Sequence, residues 1–234
     1  MPDDTPGAPP LTTMTPLFPL QSVLFPGGLL PLRIFEVRYL DMIGRCYKAG
    51  EPFGVVCLTE GGDVQQPATP QPGPAAANDA APPGTYAPEA FHEVGTLAVI
   101  DKLSRPQSGL MIVRCTGTQR FRLRRSERLK HGLWMGEIEL IAPDANVAVP
   151  DDLAATRSGL QKLLLNIERS IEDPSQMPLQ APYLWDDCGW LANRWCELLP
   201  LANAVKQRFM ALDNPLLRLE LVADALEQIG FKAP

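Results

Sequence analysis

The spacing of apolar residues changes once along the chain. Up to about residue 141, short apolar runs alternate with polar positions at a period of two. Beyond Pro150 the period is 3.6. Leu17-Phe18-Pro19-Leu20 and Leu29-Leu30-Pro31-Leu32 are apolar runs broken by proline. Proline cannot donate to a ladder, so both predict edge strands. Residues 53–59 (FGVVCLT), 95–101 (GTLAVID), 110–116 (LMIVRCT), 119–125 and 134–141 predict further strands. In 119–125, Arg120, Arg122 and Arg124 alternate with Phe121 and Leu123, as on a half-buried strand. Roughly six or seven strands with short turns predict a closed or nearly closed barrel.

Helical spacing interrupts this pattern at 36–49, where Tyr39, Leu40, Ile43 and Tyr47 recur and Gly50 follows as a stop. It then dominates after Pro150. Asp151 and Asp152 place negative charge at a helix start, followed by Leu160, Leu163, Leu164, Ile167 and Ile171. Further helices are expected at 187–199, ending at Pro200, and at 201–212. The last begins with Asn214 as N-cap and Pro215 at the first helical position. Trp185, Trp190 and Trp195 are spaced by five, so they cannot all share one face of a helix.

Two segments lack this patterning. Residues 1–14 predict a flexible tail. In residues 61–90, 19 of 30 positions are Pro, Ala or Gly. Such a stretch buries too little apolar surface to offset ordering and predicts a long surface loop inserted between two strands.

Composition narrows the class. With 234 residues, 45% hydrophobic and 21% charged, the chain has the makeup of an ordinary soluble protein with room for a sizeable core. No stretch approaches 18 apolar residues, and the acidic, proline-rich start is unlike a secretory signal. The five cysteines, Cys46, Cys57, Cys115, Cys188 and Cys196, lack metal or disulfide spacing and are expected as buried free thiols in a reducing cytoplasm. Net charge is −6, a poor default for nucleic acid. It is uneven: residues 91–145 hold nine Lys/Arg against six Asp/Glu, and residues 146–234 hold eight against twelve.

Catalytic chemistry finds little support. The two histidines, His92 and His131, fall at the end of the insertion and in a turn. No G-x-S-x-G, H-E-x-x-H, calcium loop or G-x-G-x-x-G is present. No cofactor or metal site is expected. Asp186-Asp187 reads as a helix cap.

Several irregular motifs occur in a fixed order. Pro16-Leu17-Phe18-Pro19-Leu20, Val23-Leu24-Phe25-Pro26-Gly27, Leu30-Pro31-Leu32, Ile34-Phe35-Glu36 and Arg38-Tyr39 together resemble the opening motif of the Lon protease N-terminal domain. Val94-Gly95-Thr96-Leu97-Ala98-Val99-Ile100 resembles its second motif, and Gly117-Thr118-Gln119-Arg120-Phe121-Arg122-Leu123 its third. Leu199-Pro200-Leu201, Lys206-Gln207, Leu212 and Arg218-Leu219 resemble the helical segment that follows. The resemblance covers most of residues 15–230. It implies an α+β fold, with a PUA-like β-barrel over 15–145 and a helical bundle over 146–234. It also implies a non-catalytic module that binds unfolded or degron-bearing polypeptides, linked to quality control or proteolysis, with a protease or chaperone as partner. No Gly-Lys-Ser/Thr is present to form a P-loop. The expectation is therefore a stand-alone module without the ATPase and Ser-Lys peptidase parts. The insertion at 61–90 departs from the common pattern.

The candidate binding residues are Phe25, Pro26, Arg33, Phe35, Glu36, Tyr39 and Arg120. The early apolar, proline-rich cluster suits an extended peptide wherever it is exposed. Glu36 opens a helix and can pair with Arg38 or Arg120, as a fold-fixing contact or a groove lip. An alternative is an RNA-binding module using Arg120, Arg122, Arg124, Arg125, Arg128 and Lys130. That stripe lacks interleaved exposed aromatics, so a solvated basic strand is the simpler reading. A small-ligand binder is the remaining alternative.

Overall fold

The computed structural model describes residues 12–62 and 88–231. The expected tail up to residue 11 and most of the expected loop, 63–87, lie outside the described residues.

Strand β1 (Thr12–Leu20) shows how the barrel closes. Residues 12–17 pair antiparallel with β7 (Trp134–Leu140), and residues 17–20 pair in parallel with β3 (Phe53–Glu60). The strand changes neighbours at Leu17. Pro16 therefore has a ladder partner only in β7, and Pro19 only in β3. The edge strand expected at 17–20 is corrected: β1 closes the barrel. Its prolines are tolerated because each half is paired on one side alone.

The ring is completed by β5 (Val94–Gln107) and β6 (Leu110–Arg128), in the order β1–β7–β6–β5–β3–β1. Among the described residues, strand β2 (Leu29–Ile34) pairs only with β6, through Leu29↔Thr116 to Ile34↔Met111. It is the edge strand its proline predicted. A two-residue strand, β4 (Ala90–Phe91), returns from the insertion to pair with β3.

The strands expected at 110–116 and 119–125 are one continuous strand. Gly117, at their supposed break, stays in the ladder opposite Ala98. Its missing side chain serves another purpose. A Cβ there would collide with the Phe25 carbonyl, and the Gly117 N–H instead reaches the Gly28 carbonyl at 2.8 Å. The loop between β1 and β2 is thereby stitched onto the middle of β6.

Helix α1 (Val37–Ala49) caps one end of the barrel. Its buried stripe is Tyr39, Met42, Ile43 and Cys46, packed against Phe18, Phe53 and Val113. Tyr47, expected on that stripe, is exposed, since it falls one position past the core-facing arc. Gly50 ends the helix in the left-handed region (φ 67°) and donates to Cys46.

The helical part contains α2 (Ala154–Ser170), α3 (Cys188–Leu198), α4 (Asn203–Ala211) and α5 (Pro215–Gln228). Asp187 caps α3 through the Trp190 N–H, and Asn214 caps α5 with Pro215 at its first position. Leu191, Ala192, Trp195 and Cys196 make α3 the bundle's centre. Trp195 is buried and donates to the Thr156 carbonyl at 3.0 Å. Trp185 lies before α3 and packs on Trp190 with ring centroids 5.2 Å apart. Phe25 crosses from the barrel's loop into the bundle core, fully buried.

Candidate functional site

The free edge of β2 brings four of the seven predicted residues together. Arg33, Phe35, Glu36 and Tyr39 line a corner pocket of about 170 Å³ between β1, β2 and the start of α1. Phe18, Leu20, Leu32 and Ile34 complete its wall. Tyr39 forms the floor, buried, with its ring 4.1 Å from that of Phe18. Phe35 at the pocket is 55% exposed, and Val37, two residues on, is 81% exposed. Arg33 sits on the outer face beside Ile112, which is also exposed. Three of the exposed large apolar side chains, Phe35, Val37 and Ile112, lie at this sheet edge.

Glu36 pairs with Arg38 at 3.1 Å, the first of its two expected partners. Arg38 is buried, stacks on Tyr39 and donates to the Gly132 carbonyl at 2.8 Å. Glu89 joins this cluster from the far end of the insertion. It accepts from the Trp134 indole at 2.6 Å and lies 3.5 Å from Arg38. Sequence reasoning placed Glu89 in a surface loop. Its flanking composition carries no sign of the buried arginine it meets.

Phe25, Pro26 and Arg120 lie elsewhere, at the seam between barrel and bundle. The Pro26 carbonyl accepts from Arg194 of α3 at 2.7 Å, which pins the loop to the bundle. Arg120 was expected on a solvated basic face and is instead 4% exposed. Phe121 points into the barrel, but at Arg120 the opposite side of β6 faces helices rather than water. There Arg120 donates to the carbonyls of Met210 and Leu212 and pairs with Asp144 at 3.0 Å and with Asp213 at 3.3 Å. Arg218 of α5 takes the other side of Asp144 at 2.5 Å. Glu36 therefore has no access to Arg120.

The remaining basic stripe is largely neutralised within the barrel. Arg124 pairs with Glu139, Arg125 with Glu137 at 3.8 Å, and Arg128 with Glu89 at 3.9 Å. The glutamates of β7 stand in register with β6, Arg122↔Glu139 and Arg125↔Glu137, so three of the five remaining cations of the stripe have a carboxylate within 4 Å.

A second groove, of about 440 Å³, opens where β2 begins, bounded by the barrel on one side and α3–α4 on the other. Leu29, Leu30, Pro31 and Arg114 line one wall, and Glu197 and Lys206 border the other. Burial pushes the Glu197 carboxyl up to about 7, against the opposing pull of Arg194 and Lys206. Burial likewise pushes the thiols of Cys115 and Cys196 up to about 12, and all five cysteines are buried and outside any disulfide. Among the described residues no cluster of His, Cys, Asp and Glu could hold a metal ion, and no helix is long and apolar enough to cross a membrane.

A family model described as the ATP-dependent protease La (Lon) substrate-binding domain matches residues 14–228. The chain belongs to the Lon substrate-binding domain family. A crystal structure of a Lon N-terminal domain protein from Xanthomonas campestris is similar, with 28% identity and a TM-score of 0.67. The match covers 91% of this chain and 98% of that one. The N-terminal domain of a Mycobacterium avium complex Lon protease, at 15% identity and TM-score 0.52, covers 91% and 97% and shares the fold. No curated protein matches the chain. The Lon motifs divide between the two places described above. Leu30-Pro31-Leu32 and Ile34-Phe35-Glu36 build the β2 edge and its corner pocket. Phe25, Gly117, Arg120 and Arg218 build the seam.

Proposed function

We propose that the chain is a non-catalytic module that binds extended, unfolded or degron-bearing polypeptide segments, and that these dock along the free edge of β2. The observation that carries the reading is β2 itself. Among the described residues it has a ladder partner on one side only, with an apolar pocket at one end, a groove at the other, exposed Phe35 at the pocket and exposed Val37 just beyond it. An extended peptide would gain main-chain hydrogen bonds from such an edge and specificity from a side chain seated in the pocket. The corner pocket suits one large apolar side chain, worth roughly 1.5–3 kcal/mol when buried. Pro31 removes one donor from the edge and Arg33 places a charge beside it. Both features discourage β2 from pairing with another copy of itself.

We assign this activity to protein quality control, a reading that the substrate-binding description of the family supports. A protease or chaperone that receives the bound chain, and a cytoplasmic location that keeps five buried thiols reduced, belong to the same proposal. So do the limits of the two parts, a barrel over 15–145 and a bundle over 146–234, and the absence of any catalytic step.

The test is fluorescence anisotropy with labelled, reduced casein. Saturable binding at micromolar protein is expected, and competition by an unlabelled unfolded chain should displace it. Absence of saturable binding at high micromolar concentration rejects the proposal.

A further inference from the structure

We propose that the groove at the start of β2 reads the free C-terminal carboxylate of the bound polypeptide. This rests on the peptide-edge reading above and adds to it a substrate class, chains presented by their C-terminal end.

Charge in the groove supports the assignment. Arg114 stands opposite Pro31 in the β6–β2 pairing, on the sheet's outer face. Its Nε is buried and has no hydrogen-bond partner. A buried guanidinium donor is costly until an acceptor reaches it, and a carboxylate is the acceptor whose geometry matches the guanidinium fork. Lys206, on α4, borders the same groove and uses a donor on the Glu197 carbonyl at 3.3 Å. An ammonium has three donors, so others remain for a ligand. No ion pair among the described residues engages Arg114 or Lys206. The Glu197 carboxylate also borders the groove, but Arg194 holds it at 2.9 Å and offsets its charge. The groove thus presents two cations outside any ion pair, Arg114 with an unsatisfied donor and Lys206 facing a Glu197 carboxyl that it shares with Arg194.

Strand direction gives the polarity. A segment pairing antiparallel with β2 enters beside Ile34 and the corner pocket and leaves beside Leu29. Its C-terminus then reaches the groove that Leu29, Arg114 and Lys206 line. Strand β2 has 6 residues. At about 3.4 Å per residue it spans about 20 Å, so the segment read is about six residues long.

The experiment uses the intact protein and one fluorescein-labelled peptide, alternating valine and threonine and ending in leucine. It is prepared once as the free acid and once as the C-terminal amide. The acid should bind about tenfold more tightly, the scale of a charge-assisted contact. Arg114→Gln and Lys206→Gln should each shrink that preference, and Arg114→Lys should retain part of it. Equal affinity of acid and amide, with casein still bound, overturns the carboxylate site and leaves the peptide edge standing. A preference that persists in the Arg114→Gln, Lys206→Gln double variant overturns the placement. Failure of both peptides and of casein overturns both proposals. Should a variant fail to fold, the acid-to-amide comparison on the unmodified protein decides the matter.

Discussion

Arg120 of β6 and Asp144, in the segment that leaves β7, form a 3.0 Å ion pair at the seam between barrel and bundle. Arg218 of α5 binds the same carboxylate and reaches the carbonyls of Phe209 and Leu212 and the Asn193 side chain. One acid thus offsets two buried guanidinium groups from the two halves of the chain. Burial lowers the pKa of Arg120, and Asp144 opposes that shift.

Removing Asp144 should therefore be severe. Asp144→Ala leaves Arg120 and Arg218 buried beside each other without their shared counter-charge and should cost about 3–5 kcal/mol. Asp213 also pairs with Arg120, but its side chain is 72% exposed, so Asp213→Ala should cost under about 1 kcal/mol. Urea denaturation of both variants measures the contrast. Similar midpoints would mean that the seam does not depend on Asp144.

The barrel interior supplies a packing test. A Cβ on Gly54 would lie 2.8 Å from Leu17 Cδ2 and 2.9 Å from Phe121 Cζ. Gly54→Ala should destabilise by about 1–3 kcal/mol through overpacking. Combining it with Phe121→Leu, which shortens one of the two obstacles, should cost less than the sum of the single changes. Strict additivity in thermal unfolding would rule out the proposed collision.

Glu197 sets a pH dependence of definite sign. Its folded-state pKa, about 7, is raised from 4.5. Between those values the folded protein binds more protons at this site than the unfolded chain. The site's contribution is complete below about pH 4.5 and is lost as pH rises through 7. The full shift corresponds to about 3 kcal/mol, and water reduces it, since 19% of the side chain remains exposed. Glu197→Gln should flatten the fall in stability between about pH 5 and 8 relative to the unmodified protein. Parallel stability–pH curves for the two proteins would refute this.

Binding and stability should separate at the β2 rim. Phe35 and Val37 are exposed, so Phe35→Ser and Val37→Ser should each change stability by no more than about 0.5 kcal/mol. If polypeptides dock there, Phe35→Ser should weaken casein binding by about 1–2 kcal/mol, roughly five- to thirtyfold. Unchanged affinity in a folded Phe35→Ser variant would move the docking site away from this edge.

The sequence by itself determined the elements whose causes are local. The two apolar periods separated strands from helices. Asp187 and Asn214 marked the helix starts they cap, Gly50 marked the end of α1, and Pro31 marked an edge strand. The ordered motifs identified the family, and four of the seven candidate residues do share a pocket. Only the tertiary structure decided what each face of a strand meets. Alternation distinguishes two sides of β6 but cannot tell water from a packed helix, so Arg120 read as a surface charge although α4 and α5 cover it. Periodicity likewise gives no account of a strand that changes partners midway, as β1 does at Leu17, or of a glycine needed for a close approach, as at Gly117. Glu89 and Arg114 acquire their roles from residues about fifty and eighty positions earlier in the chain, Arg38 and Pro31. Those roles come from long-range contacts, which depend on how the barrel closes and where the bundle packs against it.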